Sequence, residues 1–175
     1  MNRRGTVVED GDTATITFRR VYGHALEHVW DAIATPAGLR GWLSATDVTL
    51  EPREGGAIAM VSGPGRYHST GTILTWSPPR LFEYEWNVAP VPEMPRGERA
   101  IFRYELAAHA DGTLLVVTYR RITREVARGF LPGLHVLLDA LEAQLDGTPP
   151  PDWEARFAEL RAEYDWQGHA PAPGE

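Results

Sequence analysis

The stretch "TLLVVTYRRITREVARGFLPGLHVLLDALEAQLDG", residues 113–147, changes its hydrophobic period midway. At its start Leu115, Val117 and Tyr119 share one phase of an alternating pattern, the period of a β-strand. Further on Leu134, Leu138, Leu141 and Leu145 recur at i, i+4, i+7 and i+11, the stripe of an amphipathic helix. The spacing predicts a helix within 124–147, firm from Pro132 onward, and Gly147 supplies its C-terminal stop. A strand that runs into a long one-sided helix raises the question of what the leucine stripe covers.

The residues upstream supply the partner. "TATITFRRVY" (13–22) alternates with Ile16, Phe18 and Tyr22 in one phase and reads as a strand. "ATDVTLE" (45–51), "AIAMVS" (57–62), "YHSTGTILTW" (67–76), "LFEYEWNV" (81–88) and "RAIFRYELAAH" (99–109) are further strands. Short Gly- and Pro-rich turns separate most of them. Asp111-Gly112 is a strong hairpin signal before the last strand at 113–121. Short connections make consecutive strands antiparallel. Two short helices interrupt the series: 25–34, with Leu26, Val29, Trp30 and Ile33 as its apolar face, and 35–43, capped by Thr35 with Pro36 in its first turn. The expected fold is α+β, a curved seven-stranded antiparallel sheet around the long C-terminal helix, because such a sheet cannot cover its own face. A flexible N-terminus is expected at 1–12, and a single domain at 13–147. An additional helix and tail follow at 148–175, with Trp153, Phe157, Leu160 and Tyr164 on one helix face.

Composition narrows the chemistry. The chain has 175 residues, 43% of them hydrophobic and 23% charged, enough for one domain with a real core. It has no cysteine, which excludes disulfides, thiolate metal sites and cysteine nucleophiles, and which fits a cytoplasmic location. All 17 basic residues are arginine, so neither a Schiff-base lysine nor a P-loop is available. The net charge of −7, without a basic run, argues against nucleic acid as a partner. No apolar run reaches the roughly 20 residues of a membrane span, and none follows the starting "MNRR" as a signal peptide would require.

The segment "ALEHVWDAIATPAGLRGWL" resembles the opening helix pair of the START-like (SRPBCC) superfamily. More narrowly it resembles the branch named after the activator of heat shock protein 90 ATPase. Val29-Trp30, Thr35-Pro36, Leu39 and Trp42 carry the likeness. "EPREGGAIAM" resembles that family's strand-turn-strand, "GTILTWSPPRLFEYEW" its next hairpin, and "GLHVLLDALEAQLDG" its closing helix. The resemblance spans roughly 13–147 and implies the helix-grip fold. It also implies a cavity between sheet and helix that takes apolar small molecules. Other members act as co-chaperones, cyclases, dehydratases or lipid carriers, so the likeness assigns no single activity.

Three constellations are candidates for chemistry. His24, Glu27 and His28 read as H-x-x-E-H, the inverted zinc-peptidase motif. The helix opens at about Ala25, so His24 falls in the turn before it, while Glu27 and His28 face away from the apolar stripe; the expectation is no metal site. His135 and Asp139, four apart on the long helix, read first as a helix-surface pair and alternatively as an oriented imidazole at the cavity edge. The strand aromatics form the third set. Tyr84 and Trp86, Phe102 and Tyr104, and Val117 and Tyr119 each occupy one phase of their strands and can face the helix together.

With Met60, Leu134 and Leu138 these residues are the expected lining of a ligand cavity; no cofactor is expected. The loop 89–98, with three prolines, is expected at its mouth. Glu83, Glu85, Arg103 and Glu105, in the opposite phase, should form ion pairs in water, and Arg19-Arg20 should be exposed. The expected function is binding of a small hydrophobic or amphipathic molecule, as a monomer or homodimer. The alternatives are a cofactor-independent enzyme of cyclase, dehydratase or hydrolase type in the same cavity, drawing on His68, on His135 with Asp139 or on the tyrosines, and a co-chaperone-like interaction protein.

Overall fold

A computed structural model describes residues 2–165. Eight strands form one antiparallel sheet: β1 (Thr6–Asp10), β2 (Thr13–Tyr22), β3 (Thr46–Leu50), β4 (Ala57–Ser62), β5 (Tyr67–Ser77), β6 (Leu81–Val88), β7 (Glu98–His109) and β8 (Gly112–Thr123). Their order in space is β1-β2-β8-β7-β6-β5-β4-β3. Helices α1 (Leu26–Ala34) and α2 (Pro36–Trp42) follow β2, and α3 (Arg124–Asp146) and α4 (Trp153–Asp165) follow β8. The sheet is curved and α3 lies along it, which is the helix-grip architecture.

The extra strand corrects the expectation for the N-terminus. Residues 6–10 pair with β2 in the register Thr6↔Thr17 to Asp10↔Thr13. Val7 is their only half-buried side chain, so they carry almost no apolar signal; backbone pairing at a sheet edge holds them.

Alternation places the inner face as the sequence indicates. Tyr84 stands opposite Phe102, and Phe102 opposite Tyr119; Val117 lies between Tyr104 and Phe18. Gly71 lets β5 and β6 approach, since a Cβ there would lie 1.9 Å from the Glu85 carbonyl oxygen. On α3, Leu138, Leu141 and Leu145 are buried in the core, and the Tyr22 hydroxyl donates to the Leu138 carbonyl at 3.1 Å. The helix begins eight residues before Pro132. Glu98 caps its start: the carboxylate accepts from the Thr123 N–H at 3.0 Å and the Thr123 hydroxyl at 3.2 Å. Gly147, with φ 68°, ends it in the left-handed conformation.

Two charged side chains expected in water are buried instead. Glu83 is buried, not solvated, and takes Arg120 at 2.6 Å and Arg103 at 3.3 Å. The arginine stems shield the carboxylate while their own heads stay partly wet. Arg20 is 1% exposed, because in β2 it shares the inward phase with Phe18 and Tyr22.

Candidate ligand cavity

The sheet is wider than α3, so the helix cannot fill its concavity. A cavity of about 320 Å³ remains on one side of α3. Its sheet wall consists of Tyr84, Trp86, Phe102, Tyr104 and Tyr119, with Tyr67 from β5. The rings form a continuous surface: Trp86 stacks on Phe102 with centroids 5.0 Å apart, and Phe102 lies 4.1 Å from Tyr119. Phe130 of α3 closes on this wall, 6.1 Å from Trp86 and 5.9 Å from Tyr67. Leu134 and Leu137 continue the helix side, and Trp153 and Phe157 of α4 form a further wall. The turn Gly63-Pro64-Gly65 is part of the rim.

Polarity inside comes mainly from phenols. The Tyr104 and Tyr119 hydroxyl oxygens are 3.2 Å apart, and the Tyr84 ring stacks beside that of Tyr104 with centroids 6.3 Å apart. Burial pushes all three phenols above their usual range, so they remain protonated at any ordinary pH. The Tyr104–Tyr119 bond uses one hydroxyl hydrogen of that pair, and the other hydroxyls can serve a ligand oxygen.

Two glycines of α3, Gly129 and Gly133, line this space one helical turn apart. A Cβ at Gly129 would meet nothing within 4 Å; one at Gly133 would touch Trp153 and Phe157 at 3.6–3.7 Å. A helical glycine costs about 1 kcal/mol relative to alanine, and no packing constraint at Gly129 offsets it. Gly129 is exposed and lies at the open side of the cavity.

Of the expected lining, Tyr84, Trp86, Phe102, Tyr104, Tyr119 and Leu134 border the cavity. Met60, Val117 and Leu138 do not; they are packed core. Val117 and Leu138 lie where α3 sits down on β2 and β8, which leaves no space beside them. The loop 89–98 is not at this mouth either. It borders a second cavity with Thr123, Glu125 and Val126. It comes near the first only at Tyr67, whose phenol is pushed up by burial and by Glu93. Tyr67, Phe130, Leu137, Trp153 and Phe157 were not among the expected lining residues. The glycine pair four apart on one helix was the available signal for the α3 side.

His135 and Asp139 are elsewhere. His135 is 3% exposed and faces β2 and α4, with Phe18 edge-on at 5.9 Å. Its Nδ1 lies 2.8 Å from the Tyr164 hydroxyl, which itself accepts the Gly5 N–H at 2.8 Å. The Tyr164 hydroxyl and Nδ1 share one hydrogen bond whose direction follows the imidazole tautomer, and Nε2 lies 3.6 Å from Asp139. Asp139 also takes Arg3 at 3.1 Å and Arg156 at 3.0 Å, with Arg20 at 3.8 Å. The expected surface pair is thus a buried cluster that joins β2, α3, α4 and the N-terminal segment.

His24 precedes α1 and bonds Asp146 at 2.6 Å, while Glu27 and His28 are exposed. The two histidine rings are 5.3 Å apart. Among the described residues no group of three or more His, Asp or Glu side chains is placed to hold a metal ion.

The sheet, the long helix and the cavity between them define a helix-grip domain of the START-like class. A model of the Activator of Hsp90 ATPase homolog 1-like proteins matches residues 24–146, and the chain belongs to that family. Among solved structures it is similar to protein MLL2253 from Mesorhizobium loti, at 23% identity over 77% of this chain and 98% of that one, with a TM-score of 0.67. It is also similar to CalU16 from Micromonospora echinospora, at 22% identity over 95% and 96%, with a TM-score of 0.68. EF2215 from Enterococcus faecalis shares 14% identity over 93% and 89%, with a TM-score of 0.69. At these identities the likeness is one of fold. No curated protein matches. No helix among the described residues is long and apolar enough to cross a membrane.

Proposed function

We propose that this protein binds a small hydrophobic or amphipathic molecule in the cavity between the sheet and α3. The observation that carries the reading is the cavity of about 320 Å³ walled by Trp86, Phe102 and Phe130, with hydrogen-bonded phenols among them. Apolar walls supply the affinity and a few convergent polar groups orient the ligand. Among the described residues the lining carries no carboxylate and no imidazole. His135 and Asp139 face the other side of α3, and His68 is exposed. This favours binding over acid–base chemistry in the cavity, which would need such a pair facing inward.

Native mass spectrometry of the purified protein, followed by denaturing extraction, tests for a co-purifying molecule. The dye ANS is the direct probe. It should bind at one site per chain and accept excitation energy from tryptophan, and Trp86→Phe should weaken that transfer while leaving the fold unchanged. A protein that binds ANS at no defined stoichiometry, with transfer indifferent to Trp86, would overturn the proposal.

A further inference from the structure

We infer that α4 is the size-setting wall and the gate of the cavity, with Trp153 and Phe157 as its moving end; this rests on the ligand reading above. The cavity has three kinds of wall. Tyr84, Trp86, Phe102, Tyr104 and Tyr119 are fixed by the hydrogen-bond ladders of β6, β7 and β8. Phe130 and Leu134 are fixed by α3, which is packed along its length. The third wall, Trp153 and Phe157, belongs to a helix held only by side chains.

Those attachments are uneven. Near the far end of α4, Leu160 is fully buried, and Tyr164 bonds both His135 and the Gly5 N–H. Glu163 pairs with Arg4 at 3.0 Å there. At the near end the polar tie is the partly exposed ion pair of Arg156 with Asp139 at 3.0 Å, and Trp153 and Phe157, on either side of Arg156, stack on each other with centroids 6.0 Å apart and remain half-buried. They rest on α3 across the missing side chain of Gly133. The connection behind them, Gly147 to Asp152, contains three consecutive prolines and no regular structure. Asp152 caps α4 by accepting the Ala155 N–H at 2.8 Å, so the helix can tilt as a unit. A helix held by a buried leucine, a doubly bonded phenol and an ion pair at one end, and by a single partly exposed ion pair over a glycine surface at the other, opens at the second end. That end faces the Gly63-Pro64-Gly65 rim, and a ligand enters between them.

Two dyes of different size test this in the full chain: ANS and its double, bis-ANS. Trp153→Ala and Phe157→Ala should shift the ratio of the two dissociation constants at least tenfold toward bis-ANS. Trp153→Phe should give a smaller shift, and Glu154→Ala, on the exposed face, none. Arg156→Met, which removes the tie at the moving end and lies outside the cavity lining, should speed ANS association and dissociation severalfold in stopped flow, with the dissociation constant within about twofold. Near-ultraviolet circular dichroism establishes that each variant is folded. Wild-type protein that binds ANS while the ratio and the rates stay constant across folded variants overturns the gate and leaves the ligand reading intact. Wild-type protein that binds neither dye overturns both.

Discussion

Arg20 carries a charge in the interior of the protein. None of its three guanidinium nitrogens has a hydrogen-bond partner among the described residues, and its compensation is Asp139 at 3.8 Å and the Phe18 ring at 5.4 Å. Desolvation lowers its pKa, as expected of a cation held off its counter-ion. Replacing a buried ion by an apolar side chain of similar length is often neutral or stabilising by about 1–4 kcal/mol, whereas removing its partner is costly. Arg20→Met should therefore keep or raise the melting temperature. Asp139→Ala should lower stability by roughly 3 kcal/mol, because Arg20 loses its nearest anion; urea denaturation of both variants checks the asymmetry.

His135, beside it, is held neutral: burial first and then Arg20 lower its pKa from 6.5 to about 4. Asp139 opposes the shift, while Arg156 and Arg3 add to it. Tyr164 and Phe18 face it from α4 and β2. The unfolded chain takes up this proton at higher pH than the folded one. The stabilisation is thus complete above about pH 6.5 and is lost as pH falls toward 4. Its full size is on the order of 3 kcal/mol. Denaturation at pH 7.5, 5.5 and 4.5 should show a slope that His135→Gln flattens. Equal slopes in the two proteins would remove His135 as its source.

At the scale of elements, α3 serves three neighbours with three faces. Leu138, Leu141 and Leu145 meet the core, Phe130, Gly133 and Leu134 meet the cavity, and His135 with Asp139 meets α4. Only the first face has a leucine period, so a reading based on the stripe alone merges the second into it and leaves the third at the surface. Gly129 gives this division a test. Gly129→Ala should stabilise the helix by about 0.5–1 kcal/mol, since its Cβ enters open space. Gly129→Leu should fill the cavity and weaken ANS binding without unfolding; undiminished binding would show that the space beside Gly129 is not the site. For α4, removal of everything after Gly147 should lower the melting temperature and promote aggregation, because the surface covered by Leu160 and Tyr164 would be exposed. Unchanged melting and solubility would show that α4 contributes nothing to the core.

For the whole molecule, ligand binding and stability are linked. A molecule that occupies the cavity only in the folded state stabilises it by roughly 2.7 kcal/mol at a hundredfold excess over its dissociation constant. Saturating ANS should raise the melting temperature of the wild type and not that of Gly129→Leu. Absence of any rise, with the dye demonstrably bound, would place it outside the native cavity.

What the sequence determined by itself is everything encoded between near neighbours. The strand phases of Tyr84 and Trp86, Phe102 and Tyr104, the turn at Asp111-Gly112, the cap at Thr35, the stop at Gly147 and the apolar face of α4 all follow from periods of two or 3.6 residues. An antiparallel sheet closed by one long helix follows from their order. Only the tertiary structure decided where the faces meet. Arg20 is buried because its phase is the inward one at a point where α3 and α4 both cover it. His135 lies away from the cavity because of the rotation of α3 about its axis. Trp153 and Phe157 are cavity walls because α4 folds back across Gly133. The strand at 6–10 forms because an edge of the sheet was open to it. Each of these depends on contacts between residues far apart in the chain, and no local pattern records the angle at which one packed element faces another.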